Sequence, residues 1–195
     1  MEILRPKSTQ PIPTHAKKVF EGVLFHVYQW EQELYDGTTK TFEKLTLGDT
    51  VSVFPVLDDG RILLLNQEQP GKEPFICTTG GHVDLGEDVF SAAKRELLEE
   101  SGYEADEYIH WFSLQPFSKI DWTINIFVAK GLRKVSDMQL DGGERITPMP
   151  VTFDEFLTYG ANEKFIEKEV SRRLLEAQLD PEKMEKLKQL FSPAI

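Results

Sequence analysis

The 195-residue sequence predicts an α/β fold, in which a mixed sheet is sandwiched between helices and preceded by a small N-terminal β-sheet piece. Three observations predict it: strand-like segments lie on both sides of one central helical segment, further helical segments end the chain, and the composition is globular. The chain is 40% hydrophobic and 28% charged. We therefore divide it into a flexible lead-in (1–14), an N-terminal β piece (15–48) and a main domain with C-terminal helices (49–195).

The N-terminal β piece is predicted from two strand-like segments around a turn. GVLFHVYQWEQEL and TKTFEKLTL are rich in β-branched and aromatic residues with partial alternation, and Asp36-Gly37 between them is a hairpin signal. Two or three strands form only a marginal unit by themselves. This piece must therefore pack against the rest of the chain or against another subunit.

The main domain begins at Thr50 with strand-like segments. TVSVFPVL and RILLLNQ, joined by DDG, predict a hairpin of buried strands, and PFICTTG predicts a further short strand. A helix is expected to begin near Asp88 and to end at Gly102, where a left-handed C-cap belongs. EYIHWFSLQPF and WTINIFVAKGL predict two later strands.

The C-terminal part of the chain reads as helical. VTFDEFLTYGA predicts the end of a strand followed by a helix with Thr152 as its N-cap. Residues 162–178 and 181–191 predict two terminal helices, and Pro181 suits the first position of the second one.

Charge and cysteine content narrow the functional classes. The net charge of −11, from 33 acidic and 22 basic residues, disfavours a nucleic-acid partner but allows a small anionic substrate if a cation mediates binding. Cys77 is the sole cysteine and is expected to be buried, which excludes an intrachain disulfide and favours the cytoplasm. We expect no signal peptide and no membrane span, because no run of 18 apolar residues occurs.

One helix concentrates acidic residues. The segment GGHVDLGEDVFSAAKRELLEESGY covers residues 80–103. At about 100° per residue, Glu96, Glu99 and Glu100 share one helix face, beside an apolar stripe that can dock on the sheet. Like charges at these spacings repel by about 0.2–0.5 kcal/mol per pair. Clustered carboxylates are ligands for a hard cation such as Mg²⁺ or Mn²⁺, so a metal would explain the crowding.

The same segment resembles the signature of the Nudix hydrolases. That signature reads Gly, five residues, Glu, seven residues, Arg-Glu-apolar-x-Glu-Glu-x-Gly-apolar. Its defined positions are all matched, by Gly81, Glu87, Arg95, Glu96, Leu97, Glu99, Glu100, Gly102 and Tyr103. The order of the flanking segments is similar to the ADP-ribose pyrophosphatase-like branch.

The resemblance implies a fold and a reaction. The fold is the Nudix α/β/α sandwich. The reaction is a metal-dependent hydrolysis of the pyrophosphate bond of a nucleoside diphosphate linked to a group X. ADP-ribose or a related nucleoside-diphosphate sugar is the expected substrate, and the products are a nucleoside monophosphate and a phosphorylated X. Two alternatives remain: a housecleaning hydrolase of nucleoside triphosphates or dinucleoside polyphosphates, and a Nudix-fold nucleotide sensor that does not hydrolyse its ligand.

The resemblance also implies roles for individual residues. The metal ligands would be Glu96, Glu99, Glu100 and the carbonyl of Gly80. Arg95 would orient Glu99 or Glu87. The general base is left open among Glu99, Asp121 in SKIDWT and Glu144 in DGGERI.

Substrate contacts are less well defined by the sequence. Tyr28, Trp30 and Trp122 are candidates to stack on a base. Gln69 lies where members of the resembled branch often have a basic residue that grips phosphate or ribose. In that branch the N-terminal piece pairs with a second subunit, so we expect a homodimer formed through residues 15–48.

Overall fold

The computed structural model describes residues 3–140 and 142–194. Its strands are β1 (Lys17–Glu21), β2 (His26–Glu33), β3 (Thr39–Thr46), β4 (Thr50–Pro55), β5 (Ile62–Glu68), β6 (Phe75–Cys77), β7 (Thr79–His82), β8 (Tyr103–Leu114), β9 (Ile120–Asp121), β10 (Ile124–Lys134) and β11 (Arg145–Val151). Its α-helices are α1 (Val89–Ser101), α2 (Phe153–Thr158), α3 (Lys168–Leu179) and α4 (Pro181–Leu190), and a short 3-10 turn covers Tyr159–Ala161.

The strands form three sheets. Their orders are β1-β2-β3-β9, β7-β4-β10-β8 and β11-β5-β6. In the second sheet, β10 pairs in parallel with β4 and antiparallel with β8. The predicted mixed sheet is therefore confirmed.

The central sheet carries helices on both faces. Alternate residues of its strands point to opposite sides: Phe54 and Val128 pack with residues of α2, α3 and α4, whereas Val53 and Phe127 pack with Ala92, Ala93 and Leu97 of α1. This arrangement confirms the predicted α/β/α sandwich.

The N-terminal strands pair around the predicted turn. β2 and β3 are antiparallel, with Trp30 opposite Phe42, and Gly37 has a φ of +81° that favours glycine. The Asp36 carboxylate accepts a hydrogen bond from the Thr38 backbone N–H at 3.0 Å. The short strand β9 extends this sheet from the main part of the chain.

The predicted hairpin of TVSVFPVL and RILLLNQ is confirmed at its turn and wrong for its strands. At the turn, the Leu57 N–H donates to the Arg61 carbonyl at 2.8 Å and Val56 bridges Ile62, but β4 and β5 lie in different sheets. Both edges of β4 are already paired, with β7 on one side and β10 on the other. Since Val51 to Pro55 are buried on both faces, β4 takes the interior of the central sheet and β5 passes into the neighbouring one.

The segment PFICTTG is divided between two sheets. Its first part, β6, pairs with β5, and its second part, β7, pairs with β4. The hydroxyls of Thr78 and Thr79, at the crossing, both donate to the backbone carbonyl of Val53. These bonds attach the crossing to β4 and place Gly80 and Gly81 beside the central sheet.

The helix predicted over 162–178 begins later, at Lys168. Residues 164–166 instead run beside β6: Ile76 N–H donates to the Lys164 carbonyl at 2.8 Å, and Ile166 N–H donates to the Ile76 carbonyl at 2.9 Å. Phe165 is fully buried in the core, which favours this extended path. The extended path places Glu167 at the edge of a cavity.

The remaining helices agree with the sequence. Thr152 caps α2 within a capping box completed by Glu155, and Pro181 lies in the first turn of α4, whose N-cap is Asp180. In the part of the chain that the structure describes, no helix is both long and apolar enough to cross a bilayer.

Candidate active site

The acidic helix has the predicted ends. Asp88 is its N-cap, and one carboxylate oxygen accepts hydrogen bonds from the N–H groups of Phe90 and Ser91 at 3.0 and 3.1 Å. Gly102 closes the other end in a left-handed conformation with a φ of +67°. Because both ends are fixed and the apolar stripe is docked, the positions of the glutamates are fixed as well.

The three glutamates differ in burial. Glu96 and Glu100 are 9% and 6% exposed, whereas the Glu99 side chain is 42% exposed. Desolvation raises the pKa of Glu100 to about 8, against the effect of the Gly80 N–H, which donates to its carboxylate at 2.6 Å. Desolvation also raises the pKa of Glu96, and the neighbouring Arg95 opposes this shift. Two buried acids thus lie together in a place that favours added positive charge.

Arg95 joins carboxylates of the signature to one another. Its Nη1 donates to Glu96 at 2.8 Å and to Glu99 at 3.1 Å. Its Nη2 donates to Glu87 at 2.9 Å and to the His82 carbonyl at 2.9 Å. This fork of bonds lowers the pKa of Glu87, and it attaches the loop before α1 to the acidic face.

Two glycines allow the backbone of β7 to approach the helix. A Cβ at Gly80 would overlap the backbone carbonyl of Val51, and a Cβ at Gly81 would overlap the Glu96 carboxylate. Larger residues here would push β7 away from β4 or displace the carboxylate. Close packing therefore explains why glycine occupies both positions.

The donor set fits a divalent cation that retains water. Among the described residues, no three His, Cys, Asp or Glu side chains form a ready-made cage. Arg95 and the Gly80 N–H bind part of the available carboxylate oxygen. Mg²⁺, however, usually takes one or two carboxylates together with waters and substrate phosphates. Buried Glu96 and Glu100, with Glu99 at the rim, match that requirement.

Two adjoining cavities meet at this site. The acidic cavity, about 470 Å³, is bordered by the three glutamates and Arg95. The larger cavity, about 480 Å³, extends over the end of the central sheet. Gly80, Gly81, His82 and Glu144 border both cavities. A substrate could therefore place one part at the acidic helix and another part in the larger cavity.

Glu144 lies where the two cavities meet. One of its carboxylate oxygens accepts hydrogen bonds from the side-chain amides of Gln67 and Gln69, at 2.9 and 3.1 Å. Gln69 and Trp122, both predicted to contact substrate, also border the larger cavity. The fold thus brings these three predicted residues together with the acidic helix.

Asp121 is placed elsewhere. Its carboxylate is bound by Arg5 at 2.7 Å and by the Gln115 side chain at 3.1 Å. It is not among the described residues that border either cavity.

Tyr28 and Trp30 lie on β2, in the N-terminal sheet. Trp30 is buried and its ring packs against Phe42 with centroids 6.1 Å apart. Neither residue is among the described residues bordering the two cavities, so their substrate contacts stay a prediction.

The sequence did not point to two polar residues of the larger cavity, Ser52 and Glu167. Ser52 lies in a segment that reads only as a buried strand, and Glu167 was placed inside a helix. Both residues border the cavity, because β4 forms its floor and the 164–166 segment forms part of its wall. The hydrophobic periodicity of the sequence did not indicate a functional position for either residue.

Comparisons with known proteins agree with this geometry. The model of the NUDIX domain matches residues 46–169. The methanol dehydrogenase activator of Bacillus methanolicus is 30% identical over 148 residues, covering 74% of this chain and 80% of that protein. The ADP-ribose pyrophosphatase of Bacillus subtilis (strain 168) is 28% identical over 155 residues, covering 77% and 83%. The ADP compounds hydrolase NudE of Escherichia coli (strain K12) is 31% identical over 150 residues, covering 74% and 77%.

A crystal structure of an ADP compounds hydrolase has the same fold. It superposes with a TM-score of 0.71 at 22% identity, covering 91% of this chain and 98% of that one. The chain belongs to the NUDIX family, because the domain model matches well over half of its length. The predicted family and enzyme class, a Nudix hydrolase of pyrophosphate bonds, are confirmed.

Proposed function

We propose that this chain uses Mg²⁺ or Mn²⁺ to hydrolyse the pyrophosphate bond of ADP-ribose or a related nucleoside-diphosphate sugar. The products would be a nucleoside monophosphate and a phosphorylated sugar. The observation that carries the proposal is the pair of buried acids, Glu96 and Glu100, beside a second cavity that can take the rest of such a substrate. The relatives named as ADP-ribose pyrophosphatase and ADP compounds hydrolase support the choice of substrate.

The metal would be held by Glu96, Glu99, Glu100 and the Gly80 carbonyl. The chemistry that a divalent cation would supply there is neutralisation of the diphosphate, a lower pKa of the attacking water and stabilisation of the transition-state charge. Arg95 keeps the carboxylates in place through its bonds to Glu96 and Glu99. An acidic protein can bind an anionic substrate in this way, because the cation reverses the local charge.

Glu144 is our candidate for the general base. It borders both cavities, and Gln67 and Gln69 orient its carboxylate through one oxygen. Glu99 is less suitable, since its carboxylate is bonded to Arg95. Asp121 is bound by Arg5 away from the cavities. In this assignment the Glu144 carboxylate accepts the proton of the attacking water.

A homodimer through residues 15–48 belongs to the same proposal. The hairpin of β1 and β2 exposes apolar side chains that a partner could cover, namely Val19, Phe20, Val23, Leu24 and Phe25. A partner seated there could bring the partner's Tyr28 to a substrate site, whereas Trp30 is buried against Phe42. Sedimentation equilibrium would give two chains per particle if this is correct, and one chain per particle would contradict it.

The test is a panel of nucleotides incubated with Mg²⁺ or Mn²⁺ and separated by anion-exchange chromatography. Conversion of ADP-ribose into AMP and ribose 5-phosphate, abolished by EDTA, is the expected result. Cleavage of nucleoside triphosphates or dinucleoside polyphosphates alone would instead support the housecleaning alternative. Binding without cleavage of any compound would support the sensor alternative.

A further inference from the structure

The larger cavity contains an acidic residue that the proposed hydrolysis does not use. Glu167 borders this cavity at the start of α3, where residues 164–166 run beside β6. One of its carboxylate oxygens accepts a hydrogen bond from the Ser52 hydroxyl at 3.2 Å. Ser52 is itself buried on β4, so the carboxylate is held at a defined point of the cavity wall.

The same strand also holds an aromatic ring that borders this cavity. The indole N–H of Trp122 donates to the Thr50 hydroxyl at 3.1 Å. Thr50 and Ser52 are two residues apart on β4, so their side chains share one face and lie about 7 Å apart along the strand. The ring of Phe117 is nearly parallel to that of Trp122, at 19°. β4 therefore anchors an aromatic ring and a carboxyl group through two side chains of one face, and both groups border the same cavity.

This combination suits a hydroxylated ring. A sugar presents C–H groups on its face and hydroxyls at its edge, so it can stack on an indole while its hydroxyls donate to a carboxylate. Burial raises the pKa of Glu167 to about 7, and the carboxyl can accept from a hydroxyl in either of its forms.

We infer that Glu167 is a specificity-determining residue that accepts hydrogen bonds from the hydroxyls of a sugar ring stacked on Trp122. The inference rests on the proposed function, and it concerns recognition of the substrate and not the cleavage step. The sugar is either the ribose of the nucleoside or the sugar of group X, which offer the same chemistry.

The test compares three substrates in three proteins. The substrates are ADP-ribose, an analogue without the hydroxyls of the adenosine ribose, and an analogue without the secondary hydroxyls of the terminal ribose. The proteins are the wild type, Glu167→Ala, and the control Glu163→Gln, which changes an exposed acid near the same segment. The measured quantity is kcat/KM with Mg²⁺.

We expect the wild type and the control to prefer ADP-ribose over one of the analogues by about 10- to 100-fold, as for a hydrogen bond to a charged group. Glu167→Ala should reduce that preference to within about 2-fold. In this variant the hydrogen bond between the carboxylate and the sugar hydroxyl is already absent, so removing the hydroxyl has little further effect. The analogue that shows the effect identifies which sugar is bound. Unchanged turnover of that analogue in Glu167→Ala would show that the site is intact.

Two outcomes would overturn the inference and leave the proposed function standing. One is a Glu167→Ala variant that keeps the full preference for ADP-ribose. The other is an equal loss on every substrate, which would indicate a purely structural role. A wild type that cleaves no diphosphate would overturn the proposed function, and this inference with it, before any variant is compared.

Discussion

Two acidic clusters in this chain have opposite electrostatic environments. At the first, on α1, Glu96 and Glu100 are buried, and burial raises the pKa of both. At the second, beside the N-terminal sheet, Asp49 and Asp121 share the guanidinium of Arg5. Its contacts are 2.8 Å to Asp49 and 2.7 Å to Asp121.

The difference teaches that acid content alone does not identify a metal site. The second cluster already has its cation, because Arg5 binds both carboxylates, and the pair of bonds raises the pKa of Arg5. In the first cluster Arg95 binds Glu96 and Glu99, while Glu100 accepts from a backbone N–H alone among its described hydrogen bonds. Asp121 was a candidate base by sequence, and its position in the second cluster explains why we now favour Glu144.

The largest effect should come from the first cluster. Glu100→Gln, and likewise Glu99→Gln, should lower kcat by about 10³-fold or more, because each removes a charge proposed to hold the metal. Steady-state kinetics with Mg²⁺ and ADP-ribose would measure this, and circular dichroism should show an unchanged fold. Glu107→Gln, an exposed acid on β8, is the matched control and should keep full activity. Wild-type rates in both glutamate variants would remove the metal assignment.

A second experiment sets Glu144 against Asp121. Glu144→Gln should lower kcat by about 10²-fold or more while KM changes little, as for the loss of a general base. Asp121→Asn should stay within about 3-fold of wild type, since its partner is Arg5 and not the substrate. If the two variants exchanged these effects, the choice of base would be reversed.

The dependence of stability on pH tests whether Glu167 is an acid whose pKa is raised by burial. The folded-state pKa of Glu167, about 7, lies above its ordinary value of 4.5, so the folded chain holds this proton more tightly than the unfolded chain. Its stabilising contribution is fully present below about pH 4.5 and is lost as the pH rises through about 7. The difference is at most about 3–4 kcal/mol, or about 7–14 °C in Tm.

Glu167→Gln should therefore flatten the fall in Tm between about pH 4.5 and 7. Thermal denaturation of the metal-free protein in EDTA, across this pH range, would measure it. Glu163→Gln should follow the wild-type curve. A Glu167→Gln curve parallel to wild type would show that Glu167 has an ordinary pKa.

The smallest effect should come from the second cluster. Arg5 is 45% exposed, and ion pairs at such sites contribute about 1 kcal/mol or less. Arg5→Ala should lower Tm by about 2–4 °C and leave kcat within about 2-fold. A loss of activity much larger than this would show that the Arg5 cluster supports the site, and the contrast between the two clusters would no longer hold.

Local pattern was enough to predict the acidic helix. Asp88 as its start, Gly102 as its end and the common face of Glu96, Glu99 and Glu100 all follow from capping and from the 3.6-residue turn. The mixed sheet with helices on both faces also followed from the order of elements. These features depend on residues near one another in the chain, so the sequence displays them directly.

Strand pairing could not be predicted in the same way. The buried strands β4 and β5 looked like a hairpin, yet they lie in separate sheets because β7 and β10 occupy both edges of β4. A strand that is buried on both faces gives no sign of which neighbour it takes. The same limit concealed the extended 164–166 segment, which depends on the backbone of Ile76.

The sequence by itself determined the family, the acidic face of α1 and the glycines that let β7 approach it, because these are encoded by spacing along a few turns of chain. The tertiary structure alone decided that Glu144 joins that face, that Asp121 is bound by Arg5, and that Glu167 and Trp122 border one cavity. The physical reason is that their contacts join residues far apart in the chain. Only the packing of the sheets determines which of those residues meet.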